Sequence, residues 1–133
     1  MPHILIEYSD QLAASVNMKD LSKTLARVAV GTGVFEIAGV RVRCHRVEDY
    51  EIADGHPDNA FLHAMVRVGH GRDLATRKAA AQTIFDALTQ YLSAEMARRP
   101  LAISLEMDEI HPELNFKTGN IREYLNARAE TPA

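Results

Sequence analysis

Hydrophobic patterning divides the chain into two successive β-α-β units. Strands are predicted where apolar and polar residues alternate or β-favouring residues run together, because neighbouring strand side chains point to opposite faces. Helices are predicted where apolar residues recur every three or four positions. The predicted strands cover residues 3–8, 39–47, 60–68 and 101–108, and the predicted helices cover residues 18–30, 74–98 and 121–127.

Residues at the helix ends support these boundaries. Asn17 is suited to cap the first helix and Asp73 the second, because short polar side chains accept hydrogen bonds from the unpaired amides there. Gly31 and Gly33 are predicted to stop the first helix in the left-handed conformation, and Pro100 ends the second. Turn-forming residues between positions 48 and 59 predict an acidic loop between the two units.

Each helical crossover is expected to join parallel strands through a right-handed connection. This arrangement predicts a four-stranded sheet with both long helices on one of its faces. The side chains expected to be buried are Met18, Leu21, Leu25 and Val28 of the first helix, and Leu74, Ala81, Ile84, Phe85, Leu88, Leu92 and Met96 of the second.

The other sheet face is predicted to carry Arg41, Arg43, His45, His63 and Met65. A sheet with one bare face needs a cover, and association of subunits supplies one economically. His45 and His63 are candidates to face each other across strands, with interface packing as the favoured role.

Composition favours a single globular domain of residues 1–126, followed by a frayed tail of residues 127–133. The 133 residues are 47% hydrophobic and 25% charged, and the net charge of −3 argues against a general nucleic-acid binder. No apolar run approaches the roughly 20 residues of a membrane span, and no signal peptide is recognised. The single cysteine, Cys44, precludes an internal disulfide and fits a reducing cytosol.

Pro2 is the first candidate for chemistry. It follows the initiator methionine, and removal of Met1 would leave a secondary amine fixed at the start of a strand. Burial or nearby positive charge lowers an amine pKa toward neutrality, where a base transfers protons well. Many unrelated proteins begin Met-Pro without using the proline, so the dipeptide alone does not indicate this role.

Three arginines are candidates to bind an anion. Arg41 and Arg43 lie two positions apart on one strand face, and guanidinium groups bind carboxylates through paired hydrogen bonds. Arg72 precedes the second helix, whose N-terminus favours anions. The alternatives are a salt bridge between subunits from Arg41 or Arg43 to Glu106 or Asp108, and a plain surface position for Arg72.

The sequence predicts neither a metal site nor a phosphate site. No histidine pair has ligand spacing with acidic support, and Cys44 stands alone. Neither a glycine-rich phosphate loop nor a serine in a nucleophile elbow is recognised.

Five segments, by their order and spacing, resemble the 5-carboxymethyl-2-hydroxymuconate delta-isomerases of the tautomerase superfamily, which also includes 4-oxalocrotonate tautomerase and macrophage migration inhibitory factor. Each motif is weak by itself, and their combination is specific. The resemblance extends to about Asn120, and residues after about Leu125 match no motif. The segments are Pro2–Asp10, Ala38–Arg43, Ile52–Gly55, Gly69–Arg72 and His111–Lys117.

The resemblance implies an α+β fold of β-α-β-β-α-β order, with a four-stranded mixed sheet and two helices on one face. It implies a cytoplasmic homotrimer with inward-facing sheets that acts on a polycarboxylate without cofactor or metal. The implied catalytic residue is Pro2, and the implied substrate-binding residues are Arg41 and Arg72, with Arg43 the weaker match. The site would lie between subunits.

The implied reaction belongs to the breakdown of homoprotocatechuate by meta-cleavage. Neutral Pro2 would take a proton from the 2-hydroxyl region of a dienol that carries three carboxylates, and return one to carbon 5. The product would be a 2-oxo-3-ene. The arginines would bind carboxylates and stabilise the dienolate oxygen.

Two other functions stay open from the sequence. Tautomerase relatives with the same proline carry out dehalogenation, hydration or decarboxylation. The same element order also occurs in ferredoxin-like modules that bind ligands or form oligomers. The ferredoxin-like hypothesis requires no free Pro2 amine and expects a mainly antiparallel sheet.

Overall fold

The computed structural model describes residues 1–130, which form two successive β-α-β units followed by a C-terminal helix. The strands are β1 His3–Ser9, β2 Arg41–Val47, β3 Ala60–Val68 and β4 Leu101–Glu109. The helices are α1 Met18–Gly31, α2 Leu74–Tyr91, α3 Ser93–Arg98 and α4 Ile121–Glu130, with 3₁₀ turns at Asp10–Ala14 and Ile37–Gly39. Within residues 1–130, no helix combines the length and the apolar character needed to cross a membrane.

The strands form one mixed sheet in the order β2-β1-β3-β4. β1 runs parallel to β2 and β3 runs parallel to β4, while the central pair of β1 and β3 is antiparallel. Each parallel pair spans one β-α-β unit, since parallel strands need a long crossover connection. The predicted four-stranded sheet is therefore confirmed. The ferredoxin-like hypothesis predicted a mainly antiparallel sheet. That prediction is wrong, because two of the three strand pairs are parallel.

The helices α1 and α2 cover the same face of the sheet, as predicted. The two helices bury four side chains completely against the strands: Leu21, Leu25, Ile84 and Leu88. Removing this apolar surface from water is the main stabilising contribution to the fold. The strands supply Ile4, Ile6, Tyr8, Ala60, Leu62, Ala64, Val66 and Val68 to this core, with Val42, Cys44, Leu101, Ile103, Leu105 and Met107 partly buried beside them.

The opposite face of the sheet, called the open face below, carries polar side chains on every strand. Arg41, Arg43 and His45 are exposed there on β2, as predicted. Glu7 of β1 is paired with His45 on one side and with His63 on the other. The possibility that the two histidines face each other is wrong, because β1 lies between their strands and places Glu7 between them. Their favoured role in interface packing stays a prediction.

The second long helix is shorter than predicted. It is interrupted at Leu92, where φ is −93° and ψ is 9°, and α3 follows as a separate helix. Leu74 and Met96, both predicted to be buried, are 69% and 48% exposed. Leu74 lies in the first turn of α2, and Met96 points to solvent after the interruption.

Glu95 takes the buried position in α3, where the hydrophobic pattern predicted Met96. Its side chain is 5% exposed and forms ion pairs with Arg98 and Arg99. A buried carboxylate is stable only when such partners offset its loss of hydration. The paired charges therefore allow a glutamate to occupy a position that periodicity assigns to an apolar residue.

The predicted helix caps are partly confirmed. The side chains of Asn17 and Asp73 accept hydrogen bonds from the amides three residues further on, at 3.0 and 2.8 Å. Gly33 has the predicted left-handed φ, at 76°. Gly31 is instead the last residue of α1, and Thr32 caps the helix in a right-handed conformation. The left-handed conformation predicted for Gly31 is therefore wrong.

Several element ends differ from the prediction by one to three residues. β1 extends to Ser9, whose hydroxyl accepts a hydrogen bond from the Phe61 amide at 2.9 Å. β2 begins at Arg41 because residues 37–39 form a 3₁₀ turn. α4 continues to Glu130, three residues past its predicted end and into the predicted tail. Residues 131–133 of that tail lie outside the described residues.

Candidate active site

The amino-terminal end of the chain is buried beside β2. Pro2 is fully enclosed, and its carbonyl oxygen accepts a hydrogen bond from the Arg41 amide at 3.0 Å. A Cβ atom added at Gly39 would lie 2.1 Å from the Met1 nitrogen. The 3₁₀ turn before β2 therefore packs directly on the first residue, and only glycine fits at its end.

Arg41 lies beside this amino-terminal end at the start of β2. Its Nη1 donates a hydrogen bond to the Gly39 carbonyl at 3.0 Å, while the side chain stays exposed. A guanidinium has five N–H donors, so this single bond leaves capacity for a carboxylate.

Arg72 reaches the same region from the loop that precedes α2. Its Nη2 donates to the Val34 carbonyl at 3.0 Å, and its guanidinium carbon lies 5.2 Å from the centre of the Phe35 ring. The hydrogen bond and the cation–π contact together orient the side chain. Val34 and Phe35 lead into the 3₁₀ turn that packs on Met1, so the anchor of Arg72 belongs to the site wall.

Positive charge surrounds the amino-terminal nitrogen. Burial lowers the pKa of the Met1 amine, and the charges of Arg41, Lys117 and Arg72 lower it further, in that order. Glu36 acts in the opposite direction and raises this pKa. The arrangement therefore favours a neutral amine next to a cationic, anion-binding environment.

Lys117 is a member of this group that was not among the predicted site residues. It lies between β4 and α4 and ends the segment His111–Lys117, one of the five that carry the family resemblance. The lysine in that motif was the available signal. Its placement near the amine depends on how the chain returns after β4, which periodicity does not reveal.

The helix α4 closes one side of the site. Arg122 of α4 forms an ion pair with Glu36, and the helix contacts the 3₁₀ turn at 37–39. Both side chains are exposed, so this pair contributes little to stability. Its consequence is local, because Arg122 partly neutralises a carboxylate that raises the pKa of the amine.

Arg43 lies apart from these groups. Its Nη1 is 3.1 Å from Nδ1 of His3 on the open face. Burial, followed by the charges of Arg43 and Arg41, lowers the pKa of His3, so a neutral imidazole nitrogen can accept this hydrogen bond. Arg41 and Arg72 thus gather at the amino end, whereas Arg43 is directed to His3.

The alternative salt-bridge partners of the arginines lie across the sheet. Glu106 and Asp108 belong to β4, and β1 and β3 separate that strand from β2. Three strand spacings amount to about 14 Å, so the bridge cannot form within one subunit. A bridge between subunits stays a prediction. Among residues 1–130, no three or more His, Cys, Asp or Glu side chains are grouped to hold a metal ion.

The fold is shared with other solved proteins. A fused 4-OT wild-type symmetric trimer superposes on the chain with a TM-score of 0.63, at 16% identity, over 89% of this chain and 92% of that one. At this identity the likeness shows the fold alone. The fold is that of the tautomerase superfamily.

Closer relatives identify the family. The sequence model of the family described as 5-carboxymethyl-2-hydroxymuconate isomerase matches residues 2–125. The 5-carboxymethyl-2-hydroxymuconate Delta-isomerase of Escherichia coli is 36% identical over 121 residues, which cover 91% of this chain and 96% of the relative. A 5-carboxymethyl-2-hydroxymuconate isomerase from Deinococcus radiodurans R1 superposes with a TM-score of 0.87, at 31% identity, over 93% of both chains. The chain belongs to the 5-carboxymethyl-2-hydroxymuconate isomerase family, which confirms the predicted resemblance.

Proposed function

We propose that this protein isomerises 5-carboxymethyl-2-hydroxymuconate to its 2-oxo-3-ene form, in the cytoplasmic breakdown of homoprotocatechuate. The observation that carries the proposal is the buried amino end with Arg41, Arg72 and Lys117 around it. Membership of the isomerase family supports the same reaction class.

The catalytic base is the nitrogen of Pro2 after Met1 has been removed. While Met1 is attached, the Pro2 nitrogen belongs to an amide and cannot accept a proton. Removal of Met1 would transfer the terminal amine by one residue, to a position that is already enclosed. The groups that lower the pKa of the Met1 amine would then act on the prolyl amine next to it.

Proton transfer then follows from the position of this amine. Neutral Pro2 takes a proton from the 2-hydroxyl region of the dienol and returns one to carbon 5. A base with a pKa near the working pH combines an available lone pair with sufficient basicity. The arginines keep their charge at any relevant pH, so the lowering of the amine pKa persists throughout catalysis.

The three cations match the three carboxylates of the substrate in charge. Arg41 and Arg72 bind carboxylates through paired hydrogen bonds, and Lys117 adds a third positive charge. Their fixed charge also stabilises the dienolate oxygen that forms when the proton leaves, and such preorganised charge is usually the largest electrostatic contribution to catalysis. Arg43 contributes less, because its guanidinium contacts His3.

A homotrimer would cover the open face of the sheet. The fused 4-OT protein that shares the fold is a symmetric trimer. Partly buried Leu5 and Met65 lie opposite each other on the open face, which gives an interface some apolar area. In such an assembly, groups from two subunits can meet at each amino end.

The substrate assignment is tested by comparing turnover of 5-carboxymethyl-2-hydroxymuconate with turnover of phenylenolpyruvate, both followed by ultraviolet absorbance. A kcat/KM ratio well above one in favour of the tricarboxylate is expected, because three cations bind three carboxylates. Arg72→Ala should lower this ratio more than Arg43→Ala. Equal kcat/KM for the two compounds would contradict the assignment and direct attention to other tautomerase substrates.

A further inference from the structure

We propose that Glu109 and Arg77 are positioning residues that hold Arg72 in its substrate-binding orientation. The inference rests on the proposed function, in which Arg72 binds a carboxylate. Neither Glu109 nor Arg77 is among the charged groups that shift the pKa of the Met1 amine. Neither was among the site residues predicted from the sequence. Both contact the backbone of the loop that carries Arg72.

Glu109, the last residue of β4, makes three contacts with this loop and the start of α2. Its Oε2 accepts a hydrogen bond from the Gly71 amide at 3.0 Å and lies 3.5 Å from Nδ1 of His70. Its Oε1 lies 3.4 Å from Nη1 of Arg77. The side chain is only 24% exposed, which strengthens these contacts relative to an open surface pair.

Arg77, in the second turn of α2, completes the connection. Its Nε donates a hydrogen bond to the Arg72 carbonyl at 3.0 Å, while its Nη1 faces Glu109. The Asp73 side chain caps α2 through the Thr76 amide at 2.8 Å. Hydrogen bonds therefore hold the chain at the Gly71 amide, at the Arg72 carbonyl and at the Asp73 side chain.

The loop needs this support because Gly71 has a φ of 119°, a conformation that residues with a side chain rarely adopt. Glycine also has the largest backbone freedom in the unfolded and loosened states. Without Glu109, rotation at Gly71 would move the Arg72 guanidinium off Phe35. A displacement of about 1 Å in a binding group can lower a rate by about 100-fold.

The enzymatic test is a double-mutant cycle between Glu109 and Arg72. Glu109→Ala is expected to lower kcat/KM by roughly 10-fold in the wild-type background, chiefly through KM, since misplacement weakens carboxylate binding. In the Arg72→Ala background the same change should lower kcat/KM by less than about 2-fold, because no guanidinium remains to be positioned. An equal factor in both backgrounds would show a merely structural role and overturn the proposal.

Two further variants guard against misfolding. Glu109→Gln keeps an oxygen that accepts from Gly71 but loses the charge that faces Arg77, so an intermediate loss is expected. Glu48→Ala removes an exposed glutamate from the loop between β2 and β3 and should leave kcat/KM within about 2-fold of wild type. A loss in Glu109→Gln as large as in Glu109→Ala, with a normal melting temperature, assigns the effect to the charge and also supports positioning through Arg77.

A measurement without substrate separates this inference from the proposed function. The Nε–H resonance of Arg72 can be followed by NMR, since the Phe35 ring current shifts it from the value of a solvated arginine. Glu109→Ala should move the resonance toward that solvated value, and Glu48→Ala should not. An unchanged resonance in Glu109→Ala would overturn the positioning role even if the enzyme is active. Wild-type activity that survives Arg72→Ala would instead contradict the proposed function.

Discussion

At the scale of single residues, the site is defined by which charges act on the amino-terminal nitrogen. Burial, Arg41, Lys117 and Arg72 lower the pKa of that amine, and Glu36 raises it. Local features of the sequence, namely a strand start, a strand face and a helix start, made Pro2, Arg41 and Arg72 candidates. The resemblance to the isomerase family then favoured them over their structural alternatives. Lys117 could not be selected in the same way, since its proximity depends on the path of the chain after β4.

Replacing Lys117 with Met should raise the pKa of the amine, because a cation that opposes protonation is removed. If neutral Pro2 is the base, kcat/KM falls on the acid side with the midpoint at the pKa of the free enzyme. That midpoint should move to higher pH in Lys117→Met. The measurement is a pH profile of kcat/KM, in which the midpoint, and not the height, reports the charge effect.

The matched change of opposite sign is Glu36→Gln, which removes a carboxylate that raises the same pKa. Its acid-side midpoint should move to lower pH. Arg122→Ala, which frees Glu36 from its ion pair, should move the midpoint to higher pH. Midpoints that shift in the same direction in Lys117→Met and Glu36→Gln would refute the electrostatic account.

His3 gives a second test at this scale. Its pKa is lowered by burial and then by Arg43, whose guanidinium lies 3.1 Å from its Nδ1. Arg43→Ala should therefore raise the pKa of His3, measured by NMR titration of the imidazole protons. The control is Arg46→Ala, an exposed change on the same strand, which should have a smaller effect. A His3 pKa that falls or stays constant in Arg43→Ala would contradict the described contact.

At the scale of elements, hydrophobic periodicity located every strand and each of the predicted helices. It failed where ion pairing decides which side chain is buried. The apolar series Ile84, Leu88 and Leu92 predicts Met96 as the next buried residue, yet Glu95 is buried. Hydrophobic patterns cannot anticipate this, because burial of Glu95 depends on Arg98 and Arg99 further along the chain. The 3₁₀ turn at 37–39, which packs on Met1, was likewise missed because it is too short to have a period.

Glu95→Ala should destabilise the fold by about 2–4 kcal/mol, because removing one partner of a buried ion pair leaves the other without compensation. Arg99 is the partner that suffers, since its side chain is only 23% exposed and its Nε lies 3.1 Å from the carboxylate. Urea unfolding followed by circular dichroism measures the loss. Arg98→Ala is the comparison and should cost less, as Arg98 is 57% exposed. A Glu95→Ala variant as stable as the wild type would show that the pair contributes nothing.

At the scale of the whole molecule, the four-stranded sheet and the side that the helices cover were predictable from the sequence. Two right-handed β-α-β crossovers leave few ways to arrange four strands. The helices lie on the side of the sheet to which the strands turn their apolar side chains. The order β2-β1-β3-β4 puts the amino end and Arg41 on neighbouring strands, so the pairing of β1 with β2 brings two groups of the candidate site together. The register across β1 was not predictable, and it placed Glu7 between His45 and His63.

The open face makes a prediction about assembly. Met65→Arg places a cation among the partly buried residues of this face, beside Leu5 in the register. If subunits associate through the open face, the wild type should have three times the subunit mass by light scattering, and Met65→Arg should have a lower mass. The physical reason is the cost of removing the guanidinium from water in an interface, even though Glu106 of β4 is paired with position 65 in the register. A wild type that stays monomeric at micromolar concentration would contradict the proposed trimer.

The measurement that tests the central proposal most directly is ketonisation of 5-carboxymethyl-2-hydroxymuconate by protein whose N-terminus has been determined by intact mass. Three proteins are compared: Met1-processed wild type, processed Pro2→Ala, and a version extended before Met1 so that the Pro2 nitrogen stays an amide. Processed wild type should be active, and the extended version should lose about 100-fold or more in kcat, the usual contribution of a positioned base. Processed Pro2→Ala keeps a primary terminal amine and should lose less than the extended version. Equal rates in all three proteins would contradict catalysis by the Pro2 amine.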